Sequence, residues 1–288
     1  MKFAVNTNAL RKAMSIREMV QVCLDAGVHG VEWGLGPLEN AAAEAREMAA
    51  ASRDAGLEVL SFINGGKLWA TDDIRRWSEA VAGAGGKMLR VAHPWYAYNF
   101  DESLRQPETF PELMKKTRDG LVKLMDVGRE FGLRYVLETH RASTFASPMA
   151  VPAMMQDLDP AYCGVIYDPA NTFLEGFVRP RGAVELLGPF LAYLHVKNLV
   201  IVQEPTAEGK IAVAMQKRPL DQGAIDYEEV MFALKLCQFD GWYSFEEMIA
   251  APDPEKTVAE IRHGISHLQA CHAVAPDALH GPFLTFNL

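Results

Sequence analysis

Residues 135–138 read Tyr-Val-Leu-Glu, a short apolar run that ends on a carboxylate. The pattern recurs in Val-Ile-Tyr-Asp168, Tyr-Leu-His195 and Ser-Phe-Glu246. A short run of β-branched, aromatic and aliphatic residues is typical of a strand buried in a parallel sheet. A polar residue at its carboxyl end points into the crevice where α/β proteins place their sites. The four runs therefore predict a parallel sheet with three carboxylates and one imidazole along one edge.

Length and composition agree with one large α/β domain. The chain has 288 residues, of which 49% are hydrophobic, and α/β barrels of about 250 residues commonly form one domain. The net charge is -9, and the basic footprint of a nucleic-acid binder is missing. The amino terminus is too polar for a signal peptide, no apolar run reaches membrane-spanning length, and the four cysteines form no CxxC pair. We expect a cytoplasmic protein with reduced thiols that binds neither nucleic acid nor membrane.

Strand and helix patterns alternate along the chain. The predicted strands are residues 3–5, 29–33, 58–62, 88–92, 134–138, 164–167, 191–195 and 242–245. The clearest predicted helices are residues 15–26, 39–55, 111–131, 226–237 and 254–273. Eight strand-helix units predict a single-domain (β/α)8 TIM barrel over residues 1–273, with its site at the carboxyl ends of the strands. A doubly wound open sheet is the alternative, but its glycine-rich phosphate fingerprint is absent after the first strand.

Three segments do not fit the simple alternation. Residues 93–110 are rich in aromatic side chains, and residues 198–223 form a second long connection. Long loops at the site face are often lids, although decorations or oligomer contacts explain them equally well. The tail, residues 274–288, contains four late apolar residues, so we expect it to pack on the barrel or on a second copy of the chain.

Motifs along the whole chain resemble the sugar phosphate isomerase/epimerase family, the xylose isomerase-like barrels. They are Leu-Glu138-Thr-His140, Tyr-Asp168-Pro-Ala-Asn171, Leu-His195-Val-Lys197, Arg218-Pro-Leu-Asp-Gln-Gly223 and Phe-Asp-Gly241-Trp-Tyr-Ser-Phe-Glu246. The family includes ketose 3-epimerases, hydroxypyruvate isomerases, inosose dehydratases and endonuclease IV. The many additional histidine ligands of endonuclease IV are not found at the strand ends here.

The resemblance implies that Glu138, Asp168, His195 and Glu246 bind a divalent metal. We expect Mn²⁺, with Mg²⁺, Co²⁺ and Zn²⁺ as alternatives, because carboxylates and one imidazole suit these ions. A metal that holds two adjacent substrate oxygens would stabilise an enediolate. Glu138 and Glu246 come from separate strands, so we predict that they also act as catalytic acid and base on opposite faces of the substrate carbon.

Other polar residues near the predicted strand ends are candidate substrate contacts. They are His93, Trp95, His140, Asn171, Lys197 and Arg218. His140 and Lys197 follow two ligands by two residues, so they share the same side of their strands and either bind substrate or orient the ligands. Asn171 replaces the histidine that several ketose epimerases carry three residues after this aspartate, and it cannot titrate near neutral pH. We also expect Glu32 and Trp33 to line the open end of the barrel, at the carboxyl ends of the strands.

The sequence favours a metal-dependent isomerase or epimerase of a small ketose or polyol. Inversion at one carbon is epimerisation, and return of the proton to the neighbouring carbon is isomerisation. A lyase on the same site is the first alternative, either a keto-inositol dehydratase or a 3-keto-glycoside eliminase. The second is a non-catalytic metal-binding barrel that serves as a subunit of a larger enzyme. The expected partner is a small sugar or polyol, with a homo-oligomer left open.

Overall fold

The described part of the computed structural model, residues 1–92 and 108–276, contains a closed barrel of eight parallel strands. The eight barrel strands are β1 (Lys2–Asn6), β2 (Gly30–Gly34), β3 (Glu58–Lys67), β4 (Met88–Ala92), β5 (Arg134–Glu138), β6 (Cys163–Tyr167), β7 (Leu191–Val196) and β10 (Trp242–Phe245). Two further strands, β8 (Asn198–Pro205) and β9 (Ile211–Arg218), form a separate sheet. Around the barrel the order is β1, β10, β7, β6, β5, β4, β3 and β2, which closes on β1. The predicted TIM barrel and its eight strands are confirmed.

Helices surround the barrel and bury its outer face. They are α1 (Ile16–Ala26), α2 (Ala41–Asp54), α3 (Thr71–Gly83), α4 (Phe110–Phe131), α5 (Val151–Met155), α6 (Pro169–Glu175), α7 (Pro180–Leu187), α8 (Tyr227–Leu236) and α9 (Pro254–Val274). The start of α1 shows how local sequence sets these bounds. Ser15 and Glu18 form a reciprocal capping box there, and Gly27 ends the helix in the left-handed conformation with φ 74°.

The connection after β7 differs from the prediction of a plain loop over residues 198–223. It contains an antiparallel hairpin in which β8 pairs with β9, from Asn198 opposite Arg218 to Pro205 opposite Ile211. Each half contains a short apolar run with β-branched residues, Leu-Val-Ile-Val at 199–202 and Ile-Ala-Val-Ala-Met at 211–215, and this is the strand signal that the loop prediction missed. The other long connection lies mostly outside the described residues, as do positions 277–288 of the tail, so the expectations for both stay predictions.

Side-chain alternation inside the barrel positions the predicted ligands. A small apolar cluster fills the interior and includes Val136, Ile166 and Tyr193, each fully buried. Side chains two residues apart on a strand point to the same face, so the residue two positions beyond each of these also points inward. Glu138, Asp168 and His195 are those residues, and they therefore lie on top of a dry apolar layer.

Two further predictions concern membranes and thiols. Within the described ranges, no helix is long and apolar enough to cross a membrane. All four cysteines are free thiols, as the sequence predicted, and Cys23, Cys163 and Cys271 are buried.

Candidate metal centre

Four side chains from four strand ends meet at the top of the barrel. Glu138, Asp168, His195 and Glu246 each offer one ligand atom, and these atoms all lie within 4.8 Å of one another. The side chains of Glu138, Asp168 and His195 are fully buried, and that of Glu246 is 10% exposed. The structure thus brings together the whole predicted ligand set. Three carboxylate oxygens and an imidazole nitrogen at this spacing fit a divalent cation.

His195 has one nitrogen in the cluster and the other in the barrel core. Its Nδ1 lies 3.1 Å from Glu138 Oε1 and 3.3 Å from Glu246 Oε2. Its Nε2 lies 3.0 Å from Glu32 Oε2. A carboxylate that accepts the second N–H of a histidine fixes the ring tautomer, which leaves Nδ1 as the nitrogen available for a metal.

Glu32 therefore orients His195 from inside the barrel. The prediction that it lines the open end of the barrel is wrong. It is fully buried on β2 and also accepts hydrogen bonds from Tyr193, at 2.6 Å, and from Ser244, at 2.8 Å. The prediction for Trp33 is wrong as well. Its indole N–H donates to Ser52 on α2 at 2.9 Å, on the outer face of the barrel. Neighbouring residues of a strand face opposite ways, so Glu32 and Trp33 could not share one mouth.

Arg90 on β4 is a member of the site that the sequence analysis missed. Its guanidinium contacts Glu138 Oε2 through Nη2 and lies 3.4 Å from Glu246 Oε1 through Nη1. The available signal was a single charged residue in the middle of the run Met-Leu-Arg-Val-Ala. Arg90 bridges the two predicted acid/base residues on the oxygens that do not face His195.

Lys197 and Asn171 complete the polar cluster. The Lys197 ammonium lies 2.8 Å from Asp168 Oδ2 and 2.6 Å from Glu246 Oε2. The Asn171 amide donates to Glu138 Oε1 and to Asp168 Oδ2, both at 2.9 Å. Both residues contact the candidate ligands directly, which gives a geometric basis to the alternative that Lys197 orients these ligands.

Asp168 has two separate roles. Its Oδ1 accepts from the backbone N–H of Asn171 at 2.9 Å and caps the amino terminus of α6. Its Oδ2 faces the cluster, where Lys197 lies. Asp168 therefore caps a helix with one oxygen, and its other oxygen is in position to bind a metal.

The cluster's charges shift one another's protonation. Burial and the carboxylates of Glu138 and Glu246 raise the pKa of Asp168 to about 7, although Lys197 opposes the shift. Burial also raises the pKa of Glu138, but Arg90 and His195 outweigh it and hold that pKa well below its usual range. Burial lowers the pKa of His195, and the surrounding carboxylates reverse this and raise it. The ionised carboxylates attract a cation, and His195 must lose a proton before its Nδ1 can bind one.

The remaining predicted substrate contacts have different positions. Arg218 lines a cavity together with Lys197 and Glu246, although its guanidinium hydrogen-bonds Gln216 and the Lys217 carbonyl. The His140 ring lies 2.7 Å from the Arg141 carbonyl through Nδ1, and burial lowers its pKa. His93 and Trp95 lie outside the described residues.

Comparison with known proteins gives the family. The sequence pattern of the xylose isomerase-like TIM barrel family matches residues 20–271 of this chain. The chain belongs to this family. The predicted resemblance is therefore confirmed. The search of curated proteins found no match.

Solved structures share the fold at low sequence identity. A 3-keto-D-glucoside 4-epimerase from E. coli is 19% identical, with a TM-score of 0.71 over 94% of this chain and all of that one. A probable 3-DHS dehydratase from Bacillus anthracis is 18% identical, with a TM-score of 0.67 over 91% of this chain and 98% of that one. The IOLI protein with a bound zinc atom is 16% identical, with a TM-score of 0.71 over 96% of this chain and 100% of that one.

Proposed function

We propose that this protein is a metal-dependent isomerase or epimerase of a small ketose or polyol. The observation that carries the proposal is the convergence of three carboxylates and one imidazole, with ligand atoms within 4.8 Å, at the carboxyl ends of four barrel strands. The similar folds of a sugar epimerase and of a zinc-binding protein support it. We propose a cytoplasmic location on the four free thiols.

Glu138, Asp168, His195 and Glu246 would hold the metal, for which Mn²⁺ is our first choice, with Mg²⁺, Co²⁺ and Zn²⁺ as alternatives. When bound, such a cation supplies Lewis-acid stabilisation of the negative charge of an enediolate. Glu138, Asp168, Glu246 and the Glu32 carboxylate beside His195 have four negative charges at most. Arg90, Lys197 and a divalent cation would supply four positive charges and balance them. A site without a positive excess suits a neutral sugar better than a dianionic phosphate ester.

Each of the two glutamates has one oxygen that does not face His195. Glu246 Oε2 and Glu138 Oε1 face His195, whereas Glu246 Oε1 and Glu138 Oε2 face Arg90. We assign the proton transfers to the second pair of oxygens. Glu246 Oε1, in its ionised form, takes the proton from one face of the substrate carbon. Glu138 Oε2, in its protonated form, returns a proton to the opposite face, so that Glu138 ends ionised and Glu246 protonated. Arg90, in contact with both oxygens, fixes their separation and stabilises whichever glutamate is ionised.

The substrate hydroxyls need hydrogen-bond donors and acceptors next to the metal site. Lys197 and Asn171 lie within hydrogen-bonding distance of the ligands, so they can bind oxygens of a substrate that approaches the metal. Arg218 shares a cavity with Lys197 and is placed for a more distant hydroxyl. We keep His140, His93 and Trp95 as proposed substrate contacts on the sequence alone.

Solvent isotope exchange tests this proposal. Manganese-loaded protein is incubated in deuterated water with ketoses, keto-inositols and 3-keto-glycosides, and each carbon-bound proton is followed by NMR. We expect deuterium at one carbon of one class, together with a product of unchanged composition apart from the label. The variant Glu246→Gln should show no exchange. No exchange with any class by metal-loaded wild-type protein would favour the non-catalytic subunit.

A lyase is the second candidate, favoured by the position of Lys197. Its ammonium lies 2.6 Å from Glu246, so an acid stands next to the proposed base. Such a pair can protonate a leaving hydroxyl or alkoxide while the base removes the carbon-bound proton. The similar fold of a dehydratase agrees with this candidate. In the same NMR experiment, a product lacking water or an alcohol would select the lyase.

A further inference from the structure

The Lys197 ammonium lies on two atoms that belong to the candidate metal site. Its Nζ is 2.8 Å from Asp168 Oδ2 and 2.6 Å from Glu246 Oε2. Glu246 Oε2 also faces His195 Nδ1, at 3.3 Å, and Asp168 Oδ2 shares the Asn171 amide with Glu138 Oε1. These are the oxygens that point to the centre of the ligand set. Lys197 therefore contacts the cation-binding side of the cluster.

Two positive charges on those oxygens would lie very close together. Metal–oxygen bonds of about 2.1 Å, added to the hydrogen-bond lengths of Lys197, place the ammonium within about 5 Å of a bound cation. Each oxygen would then share its charge between two cations. A long, unbranched lysine side chain can move away by rotating its four-carbon stem.

Glu247 offers a second acceptor for that ammonium. Its Oε2 is 3.9 Å from Lys197 Nζ, and its side chain is half exposed. Glu247 has φ 53°, in the left-handed backbone region, and its Oε2 also lies 3.6 Å from Lys217 Nζ. A small rotation of the lysine stem would exchange Asp168 and Glu246 for Glu247.

We propose that Lys197 and a divalent cation compete for Asp168 Oδ2 and Glu246 Oε2, so that metal binding displaces the ammonium toward Glu247. Lys197 is then an internal counter-ion of the unloaded site and a mobile group at the mouth of the loaded one. Loading the metal would at the same time deliver a hydrogen-bond donor to the place where substrate enters. This inference rests on the proposed metal site but not on the identity of the reaction.

Arg90 provides the matched comparison because it also places one positive charge against these carboxylates. Its contacts are Glu138 Oε2 and Glu246 Oε1, the oxygens on the other side. Removing either cation makes the site more negative and favours metal binding through the field alone. Direct competition adds a second increase in metal affinity only in the variant that lacks Lys197.

The first experiment measures the Kd for Mn²⁺ of Lys197→Met, Arg90→Met and wild-type protein by isothermal titration. We expect Lys197→Met to bind Mn²⁺ on the order of tenfold more tightly than Arg90→Met. Lys210→Met, which removes an exposed ammonium between β8 and β9, should leave the Kd unchanged. Equal gains in the first two variants, or weaker binding by Lys197→Met, would overturn the competition.

A second experiment needs no variant. Wild-type protein receives a short pulse of an amine-acetylating reagent with and without Mn²⁺, and the modified lysines are quantified by peptide mass spectrometry. The Lys197 side chain is only 10% exposed, and we expect Mn²⁺ to increase its acetylation several-fold relative to the exposed Lys210. Unchanged or reduced acetylation, under conditions where titration shows bound Mn²⁺, overturns the displacement. Failure of wild-type protein to bind any of Mn²⁺, Mg²⁺, Co²⁺ and Zn²⁺ would instead remove the proposed metal site itself.

Discussion

Replacing Glu32 with Gln tests the support of His195 from inside the barrel. Glu32 is fully buried and accepts hydrogen bonds from Tyr193 and Ser244, while His195 Nε2 lies 3.0 Å from its Oε2. A glutamine keeps the shape of the side chain but exchanges a charged acceptor for a neutral one. Its amide nitrogen must also face one of the groups that now donate to the carboxylate. Hydroxyl groups can reverse and accept, whereas His195 cannot do so while Nδ1 is free for a metal.

The magnitude follows from what the histidine loses. With the amide oxygen toward His195, the ring keeps its tautomer but loses a charge-assisted hydrogen bond, which is roughly twice as strong as a neutral one. Partners that orient a metal-binding histidine typically contribute about 10–100-fold to metal affinity. We therefore expect Glu32→Gln to weaken the Kd for Mn²⁺ by at least tenfold, or about 1.4 kcal/mol.

Isothermal titration with Mn²⁺ measures this effect, with circular dichroism as the check on folding. Glu58→Gln is the control because it makes the same change on β3, on a side chain that is 61% exposed and pairs with Lys2. That control should bind Mn²⁺ as the wild type does. A folded Glu32→Gln protein with unchanged affinity would refute the reasoning that Glu32 sets the orientation of His195.

Four further outcomes are expected. His195→Ala should lower metal content several-fold by elemental analysis, because it removes a predicted ligand; full occupancy would exclude His195 from the site. Glu246→Gln should retain the fold and the far-ultraviolet spectrum but lose at least about a hundredfold in turnover, and full activity would remove its acid/base role. A metal must displace protons from His195, whose pKa is raised, and from Asp168, whose pKa is about 7. Affinity for Mn²⁺ should therefore rise between about pH 6 and 8, by roughly tenfold per pH unit for each proton released, and a pH-independent Kd would contradict this. Trp33→Phe should lower the free energy of unfolding, measured in urea, by about 1 kcal/mol, because it loses the buried hydrogen bond to Ser52. An unchanged unfolding midpoint would show that this hydrogen bond does not stabilise the fold.

The barrel and its ligand set could be predicted because both rest on local rules. A buried parallel strand needs a continuous apolar run, and the polar residue that ends the run must face the crevice. Glu138, Asp168, His195 and Glu246 each follow such a run. Their meeting in space then requires only that the strands close into a barrel.

Arg90 was missed, and Glu32 was given the wrong role, because the roles of both residues depend on distant partners. Each is a lone charge within an apolar strand, and the sequence does not say what compensates it. Arg90 is neutralised by Glu138 and Glu246, which come from other strands. Glu32 interacts with His195, more than 160 positions away. Only closure of the barrel brings such pairs together, so local periodicity contains no sign of them.

The two oxygens of Asp168 have a consequence for protein engineering. A redesign of the metal preference would ordinarily begin by exchanging carboxylate, imidazole and thiolate among the ligand positions. At Asp168 that exchange would also remove the cap of α6, because Oδ1 holds the backbone of Asn171. A longer glutamate or a histidine would reach the cluster from a different backbone distance and release the helix end. Glu138 and Glu246 cap no helix in the described part of the chain, so a ligand exchange at these two positions leaves the described helix ends in place.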